Sequence, residues 1–167
     1  MGYTTEFEGS FAITPNVLPK HENYINKFSD TRRMKRNSKV CETLPDEIRL
    51  NVNLPIGNYG EYFVGGTGYA GQDEDSSILE YNDPPPSQPG LWCQWIVEDD
   101  QLIWNGMKKF YDYTEWLKYL IEHFFKPWGY TLNGSVEYQG EESSDFGKII
   151  VENNVVKLKR GKKIYED

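Results

Sequence analysis

Histidine and cysteine are scarce, with two of each among 167 residues. Two cysteines cannot complete a four-ligand zinc site alone, nor build a disulfide framework. His21 and His123 are the only imidazoles, and no G-x-S-x-G motif occurs, so nothing marks a nucleophilic triad. A Cys93–His123 dyad is conceivable only by long-range folding, and a buried, inert Cys93 is the simpler expectation. Long apolar runs are also missing: no stretch approaches the ~18 residues of a membrane span. The opening MGYTTEFEGSF has neither the basic nor the apolar region of a secretory signal. Its Thr5 does not satisfy the myristoylation pattern, which needs Ser or Thr at position 6. These absences lead to the expectation of a soluble, cytoplasmic protein with no cofactor and no metal site.

Aromatics are abundant instead, at 15% of the chain (5 Trp, 12 Tyr, 8 Phe). That much large apolar surface argues against disorder. The length suits one domain, expected over residues 1–160, with a charged tail at 161–167. Net charge is -8. It is unevenly spread, because residues 40–156 carry 20 acids against 6 bases, while 31–39 and 157–163 hold 10 of the 18 basic residues. An acidic field repels nucleic-acid phosphates and favours cationic partners.

Residues 3–13 alternate with period two, Phe7, Phe11 and Ile13 falling on one face and Glu6, Glu8 and Ser10 on the other, which predicts a half-exposed strand. Pro19 and the spacing of His21, Tyr24, Ile25 and Phe28 predict a helix over 19–34 that ends in the basic run. Residues 41–60, with Pro45, Pro55 and Gly57, read as loop with at most a short strand at 48–52, and a strand is expected at 61–64. Residues 65–90, with Pro84, Pro85 and Pro86, read as a long loop. Residues 91–97 and 101–105 read as two strands around an acidic turn. Asp112 and Glu115 look like a capping pair for a helix over 113–126, stopped by Pro127. A strand over 130–138, bent or bulged at Asn133-Gly134, and a hairpin across Asn153-Asn154 complete the chain. The fold class expected is α+β: a mostly antiparallel sheet, two amphipathic helices packed on one face, and a long Gly/Pro-rich loop.

Gly66 to Gly71 fits G-x-G-x-x-G, but acids and prolines follow where a dinucleotide site needs a helix. Asp73, Asp75 and Ser77 have the spacing of half a calcium loop without its glycine and final glutamate. The informative cluster is aromatic. Alternation places Trp92 and Gln94 on one face and Trp95 on the other, so one of these tryptophans is expected to line a surface. The candidate ligand- or partner-binding residues are therefore Trp92, Gln94, Trp95 and Trp104, the basic Arg32, Arg33 and Arg36, and the acidic Asp73 and Asp75.

MGYTTEF, TRRMKR, EYFVGGTGYAGQD, QPGLWCQWI and PWGYTLNGSVEYQGEE together resemble an uncharacterised family of small proteins found in bacteria and their phages. The resemblance spans nearly the whole chain. It implies a small soluble protein of a phage or mobile element, located in the cytoplasm of a bacterial host cell, and it carries over no catalytic residue. Three readings stay open. The first is an acidic accessory protein that binds a host protein with a basic surface. The second is a binder of a small, nucleotide-like anion, with a tryptophan stacking the base and arginines meeting phosphate. The third is a carboxylate-dependent hydrolase. Oligomeric state is not legible.

Overall fold

The structure is a computed structural model that describes residues 2–166. The chain is α+β, as the sequence predicts, and its described residues form a six-stranded antiparallel sheet, a second two-stranded sheet and four α-helices. The chain divides into two compact units: Met1–Val17 with Gln94–Asp167, and Leu18–Cys93. The second is an insertion between the first and second strands of the large sheet.

The sheet unit has strands β1 (Thr5–Thr14), β4 (Trp95–Glu98), β5 (Gln101–Trp104), β6 (Thr131–Gly140), β7 (Phe146–Glu152) and β8 (Val155–Arg160), in the spatial order β4-β5-β1-β6-β7-β8. The alternation in β1 fixes its faces. Phe11 and Ile13 are buried opposite Gly134 and Leu132, while Glu6 and Glu8 stand outside opposite Gln139 and Glu137. Pairing of β1 with β6 runs unbroken from Thr5↔Gly140 to Thr14↔Thr131, so the bulge expected at Asn133-Gly134 does not form. The inner face is covered by α4 (Tyr113–Leu120), which continues as a π-helical segment over Ile121–Phe125. Trp116, Leu117, Leu120, Phe124 and Phe125 are fully buried, each contributing about 1.5–3 kcal/mol or more. The Asp112 side chain makes no capping bond, because the residue sits in the left-handed region at φ 55°.

Phe7 collects an aromatic cluster, its ring centroid 5.6 Å from Trp95, 5.3 Å from Trp104, 5.7 Å from Phe110 and 4.9 Å from Tyr113. The β7–β8 hairpin turns on Asn153 and Asn154, both at positive φ (47° and 70°), the conformation that asparagine tolerates. Asn154 Oδ1 also accepts from the Leu132 N–H at 2.7 Å, tying the turn to β6.

The inserted unit contains α1 (Pro19–Ser29), β2 (Lys35–Arg36), α2 (Ser38–Cys41), α3 (Glu47–Leu50) and β3 (Ile78–Glu80). Helix α1 opens on Pro19 and buries His21, Tyr24, Ile25 and Phe28 as its spacing predicts. It ends at Ser29 rather than at 34, and the basic run is not its C-terminal turn. The Arg32 N–H instead donates to Ala70 O (3.0 Å) and the Arg33 N–H to Leu91 O (2.8 Å). Residues 48–52, expected as strand, lie largely in helix α3, and residues 61–64 form no strand. The segment 65–90 is not one loop: it contains a helical turn at Tyr69–Gly71 and strand β3, which pairs with β2. Among the described residues no helix is long and apolar enough to cross a membrane.

Candidate binding surface

The inserted unit repeats one uncommon turn. Gly57-Asn58-Tyr59-Gly60 and Gly68-Tyr69-Ala70-Gly71 share a backbone path. The first glycine has φ 76° and 77°, the third residue is left-handed (Tyr59 φ 56°, Ala70 φ 52°), and the closing glycine has φ 69° and 60°. Non-glycine residues in the left-handed region carry a local energetic cost, so the surroundings must hold them. At Gly68 the φ of 77° strains any residue with a Cβ, and that Cβ would have to displace the Asp73 carboxylate.

The restraint comes from the basic run. Arg33 is buried, and its guanidinium donates to Phe63 O at 2.8 Å, Glu61 O at 2.8 Å and Gly60 O at 3.5 Å, with Phe28 beneath it at 4.1 Å. Arg36 is 2% exposed. It donates to Asp75 Oδ2 at 3.1 Å, Ser77 Oγ at 2.7 Å and Gly71 O at 3.5 Å, and its guanidinium lies 4.9 Å from the Phe63 ring centre. Planar guanidinium groups suit this work because five fixed donors can satisfy several carbonyls at once. Arg33 thus grips the segment just after the first turn, and Arg36 the Asp75–Ser77 segment after the second, each reaching the closing glycine's carbonyl only at 3.5 Å. Burial pushes the Asp75 carboxyl upward, but the Ser77 hydroxyl and N–H together with Arg36 outweigh it and hold that carboxyl below its usual range.

What these turns carry outward is tyrosine and carboxylate. Tyr69 is 83% exposed on the second turn. Tyr59 is exposed on the first, under the Lys35 ammonium at 4.3 Å. Exposed Tyr81 lies under Arg32 at 4.3 Å, and its hydroxyl donates to Gln72 Oε1 at 3.0 Å, next to the Tyr69 turn. Residues 65–92 contain five acids and no lysine or arginine. Of these, Asp73, Glu74, Glu80 and Asp83 are exposed.

The nine sequence candidates therefore separate. Arg32, Arg33, Arg36, Asp73, Asp75 and Trp92 belong to the inserted unit, and Gln94, Trp95 and Trp104 to the sheet unit. Arg33 and Arg36 are internal, and the Nη1 and Nη2 groups of both are engaged by the protein, so neither guanidinium is presented to a phosphate. Arg32 is half-buried, with Nε donating to Tyr81 O at 3.0 Å and Nη2 to Asn82 Oδ1 at 3.1 Å. Asp73 is exposed, and Asp75 is the half-buried partner of Arg36. The calcium-like spacing of Asp73, Asp75 and Ser77 is taken up locally, since both the Ser77 hydroxyl and its N–H donate to Asp75. Among the described residues no group of three or more His, Cys, Asp or Glu is arranged to hold a metal ion.

Trp92 is half-buried, whereas Trp95 is fully buried with Nε1 donating to Tyr113 O at 2.9 Å. Trp104 is half-buried, its Nε1 donating to Met107 O at 3.0 Å. Gln94 is buried too, with Nε2 directed at Lys108 O at 3.4 Å. Strict alternation therefore fails over 93–95, where Cys93, Gln94 and Trp95 are all buried, because strand β4 begins only at Trp95. The sequence reading missed Tyr59, Tyr69 and Tyr81. The available signal was the recurrence of G-x-x-G with a tyrosine between the glycines. No protein-family profile, curated protein or solved structure matches the chain.

Proposed function

We propose that the protein is a non-catalytic binding protein that holds a partner with a basic surface, and that the contact is made by Tyr69, Asp73 and Glu74, with Tyr81 alongside. The observation that carries this reading is the exposure of Tyr69 on a turn ordered by its own backbone bonds and by the Arg32 N–H on Ala70 O, with Arg36 behind its closing glycine. An aromatic anchor on a pre-ordered turn gives up little conformational entropy on binding. Tyrosine is among the residues that dominate interface energetics. The surrounding carboxylates, with no cation in 65–92, supply attraction for lysine and arginine and a fast, salt-sensitive association. The nucleotide-binding alternative loses support because the guanidinium groups of Arg33 and Arg36 face inward.

The test is a fluorescence-anisotropy titration of a labelled lysine- and arginine-rich peptide. Binding that weakens with salt is expected. Tyr69→Ala and the double variant Asp73→Lys/Glu74→Lys should each weaken it about tenfold or more, leaving the urea midpoint unchanged. No binding by the wild type, or full binding by both variants, removes the proposal.

A further inference from the structure

We propose that β8 is a docking edge at which an extended acidic segment of another protein adds, antiparallel, as a seventh strand of the large sheet. The inference concerns the sheet unit and is independent of the surface described above.

Among the described residues strand β8 ends the sheet, with β7 as its one strand partner and α4 packed against it on the inner face. The phase of its hydrogen bonds follows from one contact: the Gly161 N–H donates to Phe146 O at 2.8 Å, in register with the pairs Gly147↔Arg160, Lys148↔Lys159 and Ile150↔Lys157. Hydrogen-bonded and non-bonded pairs alternate in an antiparallel ladder. Lys157 and Lys159 therefore direct their N–H and C=O groups to β7. Val156, Leu158 and Arg160 direct theirs away from the sheet. That row of unpaired main-chain groups is a template for strand addition.

The side chains say which strand fits. Opposite residues share a face, so Lys157 and Lys159 stand on the outer face with Ile150 and Lys148, while Val156 and Leu158 stand on the inner face with the buried Val151 and Ile149. Leu158 is nevertheless 37% exposed. Residues 157–163 hold five bases and no acid. Two copies of β8 paired antiparallel would set like charges against each other, which repels self-association. A strand with carboxylates at the same places reverses the sign. An antiparallel partner should read acid-acid-apolar-acid-apolar from the residue opposite Arg160 to the residue opposite Val156. On the outer face an open trough of about 660 Å³ is bordered by Lys148 and Lys159 on the β7–β8 side and by Glu6, Glu8 and Glu137 on the other, so the charge that favours an acidic strand is confined to the β7–β8 side.

The experiment uses the full chain, ¹⁵N-labelled, and the capped peptide Thr-Glu-Glu-Val-Glu-Val-Thr. Saturation should slow amide exchange of Val156, Leu158 and Arg160 at least tenfold and leave Lys157 and Lys159 nearly unchanged. Lys157→Glu/Lys159→Glu should lower affinity tenfold or more. Leu158→Pro should do the same, because it deletes only an outward donor, as an edge strand tolerates. Should that variant not fold, the charge variant decides. Absence of protection in β8, equal binding of the lysine counterpart Thr-Lys-Lys-Val-Lys-Val-Thr, or binding of a DNA oligonucleotide in place of the acidic peptide overturns the proposal.

Discussion

Replacing Arg36 by methionine tests whether the basic run is an internal brace. The substitution keeps most of the stem that fills the buried space but removes the guanidinium that serves Asp75, Ser77 and Gly71 O. Breaking one side of a buried ion pair costs about 3–5 kcal/mol. The Asp75 side chain is 25% exposed and keeps its bonds from Ser77, so it regains some hydration and the lower end applies, about 3 kcal/mol. That is a large share of the ~5–15 kcal/mol that holds a typical domain together. Urea unfolding followed by tryptophan fluorescence measures it. Arg36→Lys should fall between wild type and Arg36→Met, since the charge remains but the fork of donors is lost. Arg36→Met/Asp75→Asn should be less unstable than the sum of the single variants, by about 1–2 kcal/mol. In Arg36→Met the amides of Gln72 and Asp73 should also exchange faster, because their bonds to Tyr69 O and Thr67 O lie in the turn that Arg36 restrains. A loss below about 1 kcal/mol with unchanged exchange would refute the brace.

Two further outcomes follow from the same geometry. Gly68→Ala should destabilise the inserted unit by about 1–3 kcal/mol, read as a shift of the urea midpoint, because residue 68 has φ 77° and its new Cβ would meet the Asp73 carboxylate. The Asp75 carboxyl sits below its ordinary value of 3.8, so its stabilising effect is complete above that value and is lost as pH falls through the lower, folded one. Asp75→Asn should therefore flatten the acid limb of a stability-against-pH curve below about pH 4 while lowering stability at neutral pH. An acid limb of unchanged steepness contradicts the assignment.

Parts of this molecule are legible in the sequence because their causes are local. The alternation of Phe7, Phe11 and Ile13 settles the faces of β1 without any knowledge of its partners. Pro19 begins α1, the stripe from Trp116 to Phe125 marks the main helix, and Asn153-Asn154 announces the last hairpin. Other parts depend on distant partners. A run such as TRRMKR looks like a solvated cationic patch. Arg33 and Arg36 are nonetheless internal, because carbonyls 27 to 35 residues further along the chain converge on them. Beyond the end of α1 the backbone too turns to distant acceptors, the Arg32 N–H to Ala70 O and the Arg33 N–H to Leu91 O. Asp112 shows the limit of a short motif, since the D-x-x-E pattern is present but a left-handed backbone leaves the side chain out of capping range. The candidate site was half visible. Asp73 stood out by charge, whereas the exposure of Tyr69 follows from a turn conformation that glycine spacing only hints at.

The most direct measurement is chemical-shift mapping of the ¹⁵N-labelled protein with the lysine- and arginine-rich peptide. The account predicts saturable shifts centred on residues 67–74 and 79–83, fading as salt rises. Shifts centred elsewhere, or none at saturating peptide, would contradict the claim that the braced, acidic tyrosine turn is the binding surface.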